Sequence, residues 1–282
     1  MQNTKIIKHI IHTYDIKPNK KLGQNFLTSD ESVNKVIATA ELQPADTVLE
    51  IGPGLGALTL TIADQVEKVI AVEKDKQFVG ALDNILQSQN VDNVELLCDD
   101  ILKYKIPGLN AYKIIANLPY NIATAVVMKF LQSKNPPETM VVMLQKEVGQ
   151  RMCAQPPNMS RLSVFCQFYA KCEIAGYINK HYFYPKPKVD SAIVKITDIQ
   201  TVLPQKNYAS QFISSFEKIV RAGFSQPRKQ LANNLSNELK LPKDKAKVWL
   251  EQNSIKPSQR AETLLIDNWL NLATTYPQAH KI

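Results

Sequence analysis

Asn117-Leu118-Pro119-Tyr120 follows a hydrophobic run, Tyr112-Lys113-Ile114-Ile115-Ala116, that should form a strand. A segment with helical spacing, Ile122 to Leu131, comes after it. An amide, a proline and an aromatic ring at a strand's carboxyl end make a stiff acceptor loop beside a stacking surface. Pro119 restricts Leu118 to extended geometry, which can aim the Leu118 carbonyl inward. That carbonyl and the Asn117 side-chain oxygen can accept the two N–H bonds of a planar exocyclic amine. Such an amine is weakly nucleophilic because its lone pair is delocalised into the ring, and two acceptors bias the nitrogen toward attack on a methyl donor. Tyr120 offers a face for the base. Asn and Pro are also ordinary turn residues, so the weight of this reading comes from the rest of the chain.

Glu50-Ile51-Gly52-Pro53-Gly54-Leu55-Gly56 follows the first strong strand and leads into a helix at Ala57. Glycines there let the backbone approach a ligand, and the helix N-terminus adds a positive dipole. The spacing is G-x-G-x-G, where a dinucleotide fold more usually shows G-x-G-x-x-G; a structural turn would read the same way. Glu73 ends the second strand, 21 residues after Gly52, near the offset of about 20 residues expected for a carboxylate on a ribose diol. Alone it would pass for a solvated Glu beside Lys74. Asp99 and Asp100 end the third strand, where one can accept from an adenine amine and the other can cap a helix. Four successive strand ends thus carry ligand-type groups: the glycines, Glu73, Asp100 and Asn117. Ligands of open α/β sheets bind at the carboxyl ends of the strands. The ligand implied is an adenosine-bearing cofactor beside an amine-presenting loop, namely S-adenosylmethionine.

The elements that must position these groups alternate from residue 30 to 145. Strands are expected at Thr47–Ile51, Lys68–Val72, Val94–Cys98, Lys113–Ala116 and Met140–Leu144. Helices are expected at Ser32–Glu41, Leu58–Gln65, Lys76–Gln89 and Thr124–Gln132. This is the pattern of βαβ units and a parallel sheet. A helix at Leu162–Tyr169 and extended runs at Glu173–Ile178 and Ser191–Ile196 follow, the last two closing the sheet as an antiparallel edge pair. Pro204 and Gln205 mark a boundary, so a sheet domain over 1–203 and a smaller all-helical domain over 204–282 are expected. The helices of the second are placed at Gln211–Ala222, Lys229–Leu239, Lys243–Gln252 and Ala261–Ala273.

At 282 residues the chain can bury a full core. No apolar run approaches the roughly 18 residues of a membrane span. Ile6, Ile7, Ile10 and Ile11 are interrupted by Lys8 and His9, which fits an amphipathic first helix rather than a signal peptide. Cys98, Cys153, Cys166 and Cys172 form no C-x-x-C pair, so free thiols in the cytoplasm and no metal are expected. Residues 203–282 hold 12 basic and 6 acidic side chains, and so supply +6 of the net +8. A small basic domain suggests a docking surface for a polyanion.

Two further segments flank the sheet. Gly23-Gln24-Asn25-Phe26-Leu27 precedes it, and by itself reads as a cap and staple of the next helix. Phe183-Tyr184-Pro185-Lys186-Pro187-Lys188-Val189-Asp190-Ser191 is a stiff basic loop led by aromatics. Its lysines can meet phosphates, and Phe183 or Tyr184 can stack on an unstacked base; core aromatics on a proline-rich connector are the alternative.

Gln24 to Leu27, Glu50 to Gly56, Asn117 to Tyr120 and Phe183 to Ser191, in that order and spacing, resemble the rRNA adenine N6-dimethyltransferase family. The resemblance spans essentially the whole chain and is nearest the bacterial small-subunit branch. Leu144-Gln145-Lys146-Glu147-Val148, Lys188-Val189-Asp190-Ser191-Ala192 and Arg260-Ala261-Glu262 also look like that branch. Phe224-Ser225-Gln226-Pro227-Arg228-Lys229 is similar to its F-x-Q-R-R-K segment, with Pro227 replacing an Arg.

The resemblance implies a Rossmann-like methyltransferase sheet and S-adenosylmethionine bound by Asn25, Leu27, Gly52, Glu73, Asp100 and Asn117. It implies Asn117 and the Leu118 carbonyl on the amine, with Pro119 holding the loop and Tyr120 and Phe183 sandwiching a flipped adenine. Lys186, Lys188, Arg221, Arg228 and Lys229 are expected on RNA phosphates. The expected partner is small-subunit rRNA in the immature ribosomal subunit, two adjacent adenosines of its 3′-terminal hairpin loop each taking two methyl groups, with the protein a monomer. The 23S methylases are disfavoured by Leu118 and by Lys188-Val189-Asp190-Ser191, where they usually have Ile and K-V-N-S. Protein glutamine methylases are disfavoured by the same Leu118, where they carry N-P-P-Y. A purely structural assembly factor is disfavoured by the intact cofactor residues.

Overall fold

The computed structural model describes residues 7, 9, 11–14, 16, 23–105, 111–200 and 210–279. It divides into two compact units, one of residues 1–150 and 171–199, the other of residues 151–170 and 200–282.

The first unit is built on a seven-stranded sheet. Its strands are β2 (Thr47–Ile51), β3 (Lys68–Glu73), β4 (Val94–Cys98), β5 (Lys113–Asn117), β6 (Thr139–Gln145), β7 (Lys171–Ile178) and β9 (Ser191–Thr197). Their order is β4-β3-β2-β5-β6-β9-β7. The first five run parallel, and β9 joins β6 and β7 antiparallel, as the edge pair expected. Val69-Ile70-Ala71-Val72 and Ile114-Ile115-Ala116 are buried throughout. Such continuous apolar runs belong to central strands covered on both faces. The helices of this unit are α1 (Asp30–Ala40), α2 (Thr59–Ala63), α3 (Lys76–Ser88), α4 (Ala123–Leu131) and α5 (Lys146–Met152), the last running on into residues 151–152. The Ser29 side chain caps α1 by accepting from the Ser32 N–H, and Asp75 caps α3 through Gln77.

Three elements were not expected. α5 begins directly at the end of β6. A short ribbon pairs β1 (Phe26–Leu27) antiparallel with β8 (Phe183–Tyr184), joining segments far apart in sequence. Two-residue strands carry no readable alternation, and only the pairing reveals them.

The second unit contains α6 (Arg161–Tyr169), α7 (Ser210–Gly223), α8 (Leu231–Leu239), α9 (Lys243–Gln252) and α10 (Ile266–Ala279). Residues 151–170, expected with the sheet, group with these helices. Phe168 stacks on Phe216 of α7 at 4.2 Å between ring centres, and both are fully buried. Arg151 and Arg161 go with them. This unit therefore holds 14 basic and 6 acidic residues and carries the whole net charge of +8, while the sheet unit holds 20 of each. The helix expected over Ala261–Ala273 is a 3-10 turn at Ala261–Thr263 followed by α10, because Leu264 is extended. α8 starts at Leu231, two residues later than expected, because Gln230 is extended. Pro204 and Gln205 lie outside the described residues, as do Ile6, Lys8 and Ile10 of the expected first helix; Ile7, His9 and residues 11–13 are helical. Among the described residues no helix is long and apolar enough to cross a membrane.

Candidate active site

The carboxyl ends of β2, β3, β4 and β5 open on one cavity of about 540 Å³, within the range of small-molecule sites. It is lined by Asn25, Leu27, Gly52, Glu73, Asp100 and Asn117, and by Leu118, Pro119 and Tyr120. The four strand ends singled out in the sequence therefore converge.

The glycine turn hugs the cavity. Gly52 has φ +68° and donates its N–H to the Val72 carbonyl at 2.9 Å. A Cβ on Gly54 (φ +57°) would lie 3.0 Å from the Phe26 ring. Side chains larger than hydrogen would strain both positions.

Glu73 is 9 % exposed. Its Oε2 accepts from the Gly54 N–H at 3.2 Å and its Oε1 from the Asp75 N–H at 2.9 Å. Burial raises its carboxyl above the usual range, and these backbone bonds oppose the shift. Asp100 serves as the cap of its own turn, Oδ1 accepting from the Leu102 N–H at 3.0 Å, while Oδ2 pairs with Lys74 at 2.9 Å. The Lys74 hydrogen bond holds the Asp100 carboxyl below the usual range. That turn is tied down from β5's side of the cavity by Lys129 of α4, whose ammonium donates to the carbonyls of Ile101 and Tyr104.

The acceptor loop is also held from several sides. The Asn117 amide N–H donates to the Asn25 carbonyl at 2.8 Å, which fixes the amide's orientation and leaves Oδ1 as the acceptor. Asn25 in turn donates from its side chain to the Gly23 carbonyl at 2.9 Å. The Leu118 N–H bonds the Met143 carbonyl at 3.1 Å, and Ile122 N–H closes the turn on the Pro119 carbonyl at 3.1 Å. The Tyr120 hydroxyl meets the Ser191 hydroxyl at 2.9 Å, and burial raises the phenol's pKa, so it stays protonated.

Other expected residues stand apart from the cavity. Phe183 is 4 % exposed and packs in the core with Leu27, Val33, Ile178 and Ile193. Tyr184 packs partly buried against the cluster of Phe26, Leu55 and Phe78. Lys186 and Lys188 do not line the cavity. In the second unit Arg228 and Lys229 are exposed in the turn after α7, whereas Arg221 lies 5.9 Å from the Phe165 ring centre and 3.7 Å from Glu217.

Sequence reasoning placed Glu50 two residues before the first glycine of the motif but gave it no role. It is 1 % exposed and lines the cavity, and among the described residues its Oε2 and the buried Thr59 Oγ1 have no hydrogen-bond partner, although Thr59 opposes the effect of burial on the Glu50 carboxyl. Burial pushes the Glu50 carboxyl up to about 8. The signal was present, since an acid interrupts the buried run Val48-Leu49-Ile51. Ser191 and Lys129 act through contacts that no local pattern announces.

An orphaned buried carboxyl, a glycine cradle and two further carboxylates fit a cofactor with a cationic amino-acid end and an adenosine end. S-adenosylmethionine supplies, when bound, a methyl group on a sulfonium. Together the sheet order and this cavity define a Rossmann-like S-adenosylmethionine-dependent methyltransferase. The model of the family described as "Ribosomal RNA adenine dimethylase" matches residues 2–278, and the chain belongs to that family.

The chain is 39% identical over 275 residues to a ribosomal RNA small subunit methyltransferase A of Dehalococcoides mccartyi, covering 96% of this chain and 92% of that one. It is 37% identical to the protein of the same name in Lactiplantibacillus plantarum, over 96% and 94% of the two chains. Among solved structures it resembles a dimethyladenosine transferase from Plasmodium falciparum, with TM-score 0.77 and 25% identity over 90% of this chain and 98% of that one. It also resembles the 23S rRNA methyltransferase ErmE, with TM-score 0.70 and 25% identity over 88% and 98%.

Proposed function

We propose that the chain methylates N6 of two adjacent adenosines in the 3′-terminal hairpin loop of small-subunit rRNA, giving each two methyl groups and releasing S-adenosylhomocysteine. The observation that carries this reading is the Asn117 amide, pinned by the Asn25 carbonyl so that Oδ1 faces the chemistry as an acceptor. The likeness to small-subunit methyltransferases at 39% identity favours that rRNA over 23S.

In this reading Glu73 takes the ribose hydroxyls and Asp100 the adenine amine of the cofactor. Gly52 and Leu27 shape the walls, Asn25 orients Asn117, and Glu50 faces the cationic amino-acid end. Asn117 Oδ1 and the Leu118 carbonyl accept the two N–H bonds of the target amine while Tyr120 lies against its ring. Phe183 reaches the other face of that ring only by turning out of the core. Catalysis is mostly positioning. No side chain need act as general base, because the amine becomes strongly acidic once it attacks the methyl group, and its proton passes to solvent. Lys186 and Lys188, with Arg221, Arg228 and Lys229 of the second unit, take phosphates. The protein acts as a monomer on the immature subunit in the cytoplasm.

Labelled cofactor incubated with the protein and unmethylated immature small subunits tests this. Label in adjacent dimethyladenosines near the 3′ end is expected; label confined to 23S rRNA, or none in either RNA, overturns the reading.

A further inference from the structure

Beyond the acceptor loop, β6 and β7 end and β9 begins on a common rim, where Gln145 pairs with Ser191 and Ser191 with Ile178. The Tyr120–Ser191 hydroxyl contact fastens the acceptor loop to this rim. One residue before Ile178 in β7, Tyr177 pairs with Ala192, and on this edge strand of the sheet 45% of Tyr177 is exposed. A register shift between Ile174 and Gly176 precedes it, and such bulges bend a strand and re-aim its side chains.

The Lys146 ammonium lies 5.3 Å from the Tyr177 ring centre. The turn Lys180–Tyr182 follows β7 with a second open ring, Tyr182 at 44% exposure. Lys180 Nζ donates to the Lys188 carbonyl at 3.2 Å, and Lys186 Nζ lies 3.4 Å from His181 Nε2. None of Lys146, Lys180, Lys186 and Lys188 has a carboxylate partner among the described residues. Asp190, the acid within the loop, has its Oδ1 on the Lys180 backbone N–H at 3.0 Å.

Lys146 beside the open Tyr177 ring, with Lys180, Lys186 and Lys188 on the turn and loop that follow β7 and no carboxylate on any of the four, answers to a polyanion that carries flat apolar faces, which is single-stranded nucleic acid. We propose that Tyr177 and Lys146 form a second base-and-phosphate site that holds a nucleotide flanking the one at Asn117. This rests on the RNA reading above and assigns a site beyond it. From β5 the rim crosses β6 and β9 to reach β7, three strand spacings or about 14 Å, a span for a short stretch of extended RNA. Tyr177 supplies the stacking face and Lys146 the phosphate contact. With two adjacent target adenosines, the site gives the waiting base a place off the stack while its neighbour reacts.

The test is a cycle of perturbations on both partners. Tyr177→Ala lowers kcat/KM on unmethylated small subunits by roughly tenfold, the scale of one base–aromatic stack. Tyr177→Phe retains activity, and cofactor affinity is unchanged in both. Subunits assembled with an abasic residue beside the target lose a similar factor with the wild-type protein. On one flank they lose nothing further with Tyr177→Ala, because both changes remove the same contact. Lys146→Gln lowers the salt slope of subunit binding by about one phosphate contact. Near-normal kcat/KM for Tyr177→Ala, or losses that multiply at both flanks, overturns the site while leaving the function intact. Wild-type protein that transfers no methyl group to intact subunits overturns the function itself.

Discussion

The Asn117 side chain adds one hydrogen bond to the fold, from its amide N–H to the Asn25 carbonyl, and in the proposed mechanism its oxygen accepts from the target amine. Asn117→Ala is therefore expected to remove most methyl transfer while the protein keeps its fold and RNA affinity; near-normal turnover would take the residue out of the mechanism. Glu73→Ala is expected to weaken S-adenosylmethionine by about 1.5–3 kcal/mol, the scale of hydrogen bonds to a charged group, as read by calorimetry. It also frees the Gly54 N–H, so a thermal melt should accompany the titration. Glu50 behaves differently. Its folded pKa of about 8 stands above the ordinary 4.5, so between those values the folded chain binds the proton that the unfolded chain has lost. Stability then falls as pH rises through that window, by at most about 1.4 kcal/mol per pH unit. Glu50→Gln, permanently neutral, should flatten the pH dependence of the melting temperature between pH 5 and 8 and melt higher than wild type at pH 8. A variant that keeps the wild-type slope would locate the titration elsewhere. The glycines, Glu73, Asp100 and Asn117 were named from the sequence because they sit at strand ends, where residue type and position speak together. Glu50 lies inside a strand, where burial gives an acid its meaning.

At the scale of elements, the parallel strands were legible because their apolar runs are long and their spacing regular. The β1–β8 ribbon was not, since it depends on two short segments meeting across more than half the chain. The ribbon changes what Phe183 does. As a core ring 4 % exposed, it contributes packing, so Phe183→Ala should cost about 3–5 kcal/mol of stability whatever it does to catalysis. Phe183→Leu keeps most of the volume and separates the roles. If the ring also stacks on the adenine, the Leu variant should keep a near-normal melting temperature and lose roughly 1–3 kcal/mol of transition-state stabilisation. Unchanged kcat/KM in Phe183→Leu would leave the ring a core residue alone, with Tyr184→Ala the next measurement.

For the whole molecule, the charge divides more sharply than the sequence suggested. The sheet unit is neutral and the helical unit holds all of the +8. Arg228 and Lys229, exposed in the turn after α7, are the cleaner probes of that surface, because Arg221 already has partners within its unit. Reversing both to Glu should weaken subunit binding and reduce its salt slope by about two phosphate contacts, while cofactor affinity stays put. A slope matching wild type would place the docking surface elsewhere. The composition shift near residue 203 exposed most of this unit. Residues 151–170 escaped notice because their own pattern, one short helix, does not say which core it joins.

That excursion has a consequence for how the chain is made. α6 leaves the ribosome well before α7, whose Phe216 covers Phe168. At synthesis rates of about 5–20 residues per second, its apolar face waits seconds for a partner that is still being translated. A chain ended near residue 204 would wait forever, with Phe168, fully buried in the finished molecule, left without the Phe216 ring that stacks on it. Shortened messages and stalled translation should thus yield sticky fragments that chaperones or proteases must clear, rather than a free-standing catalytic half.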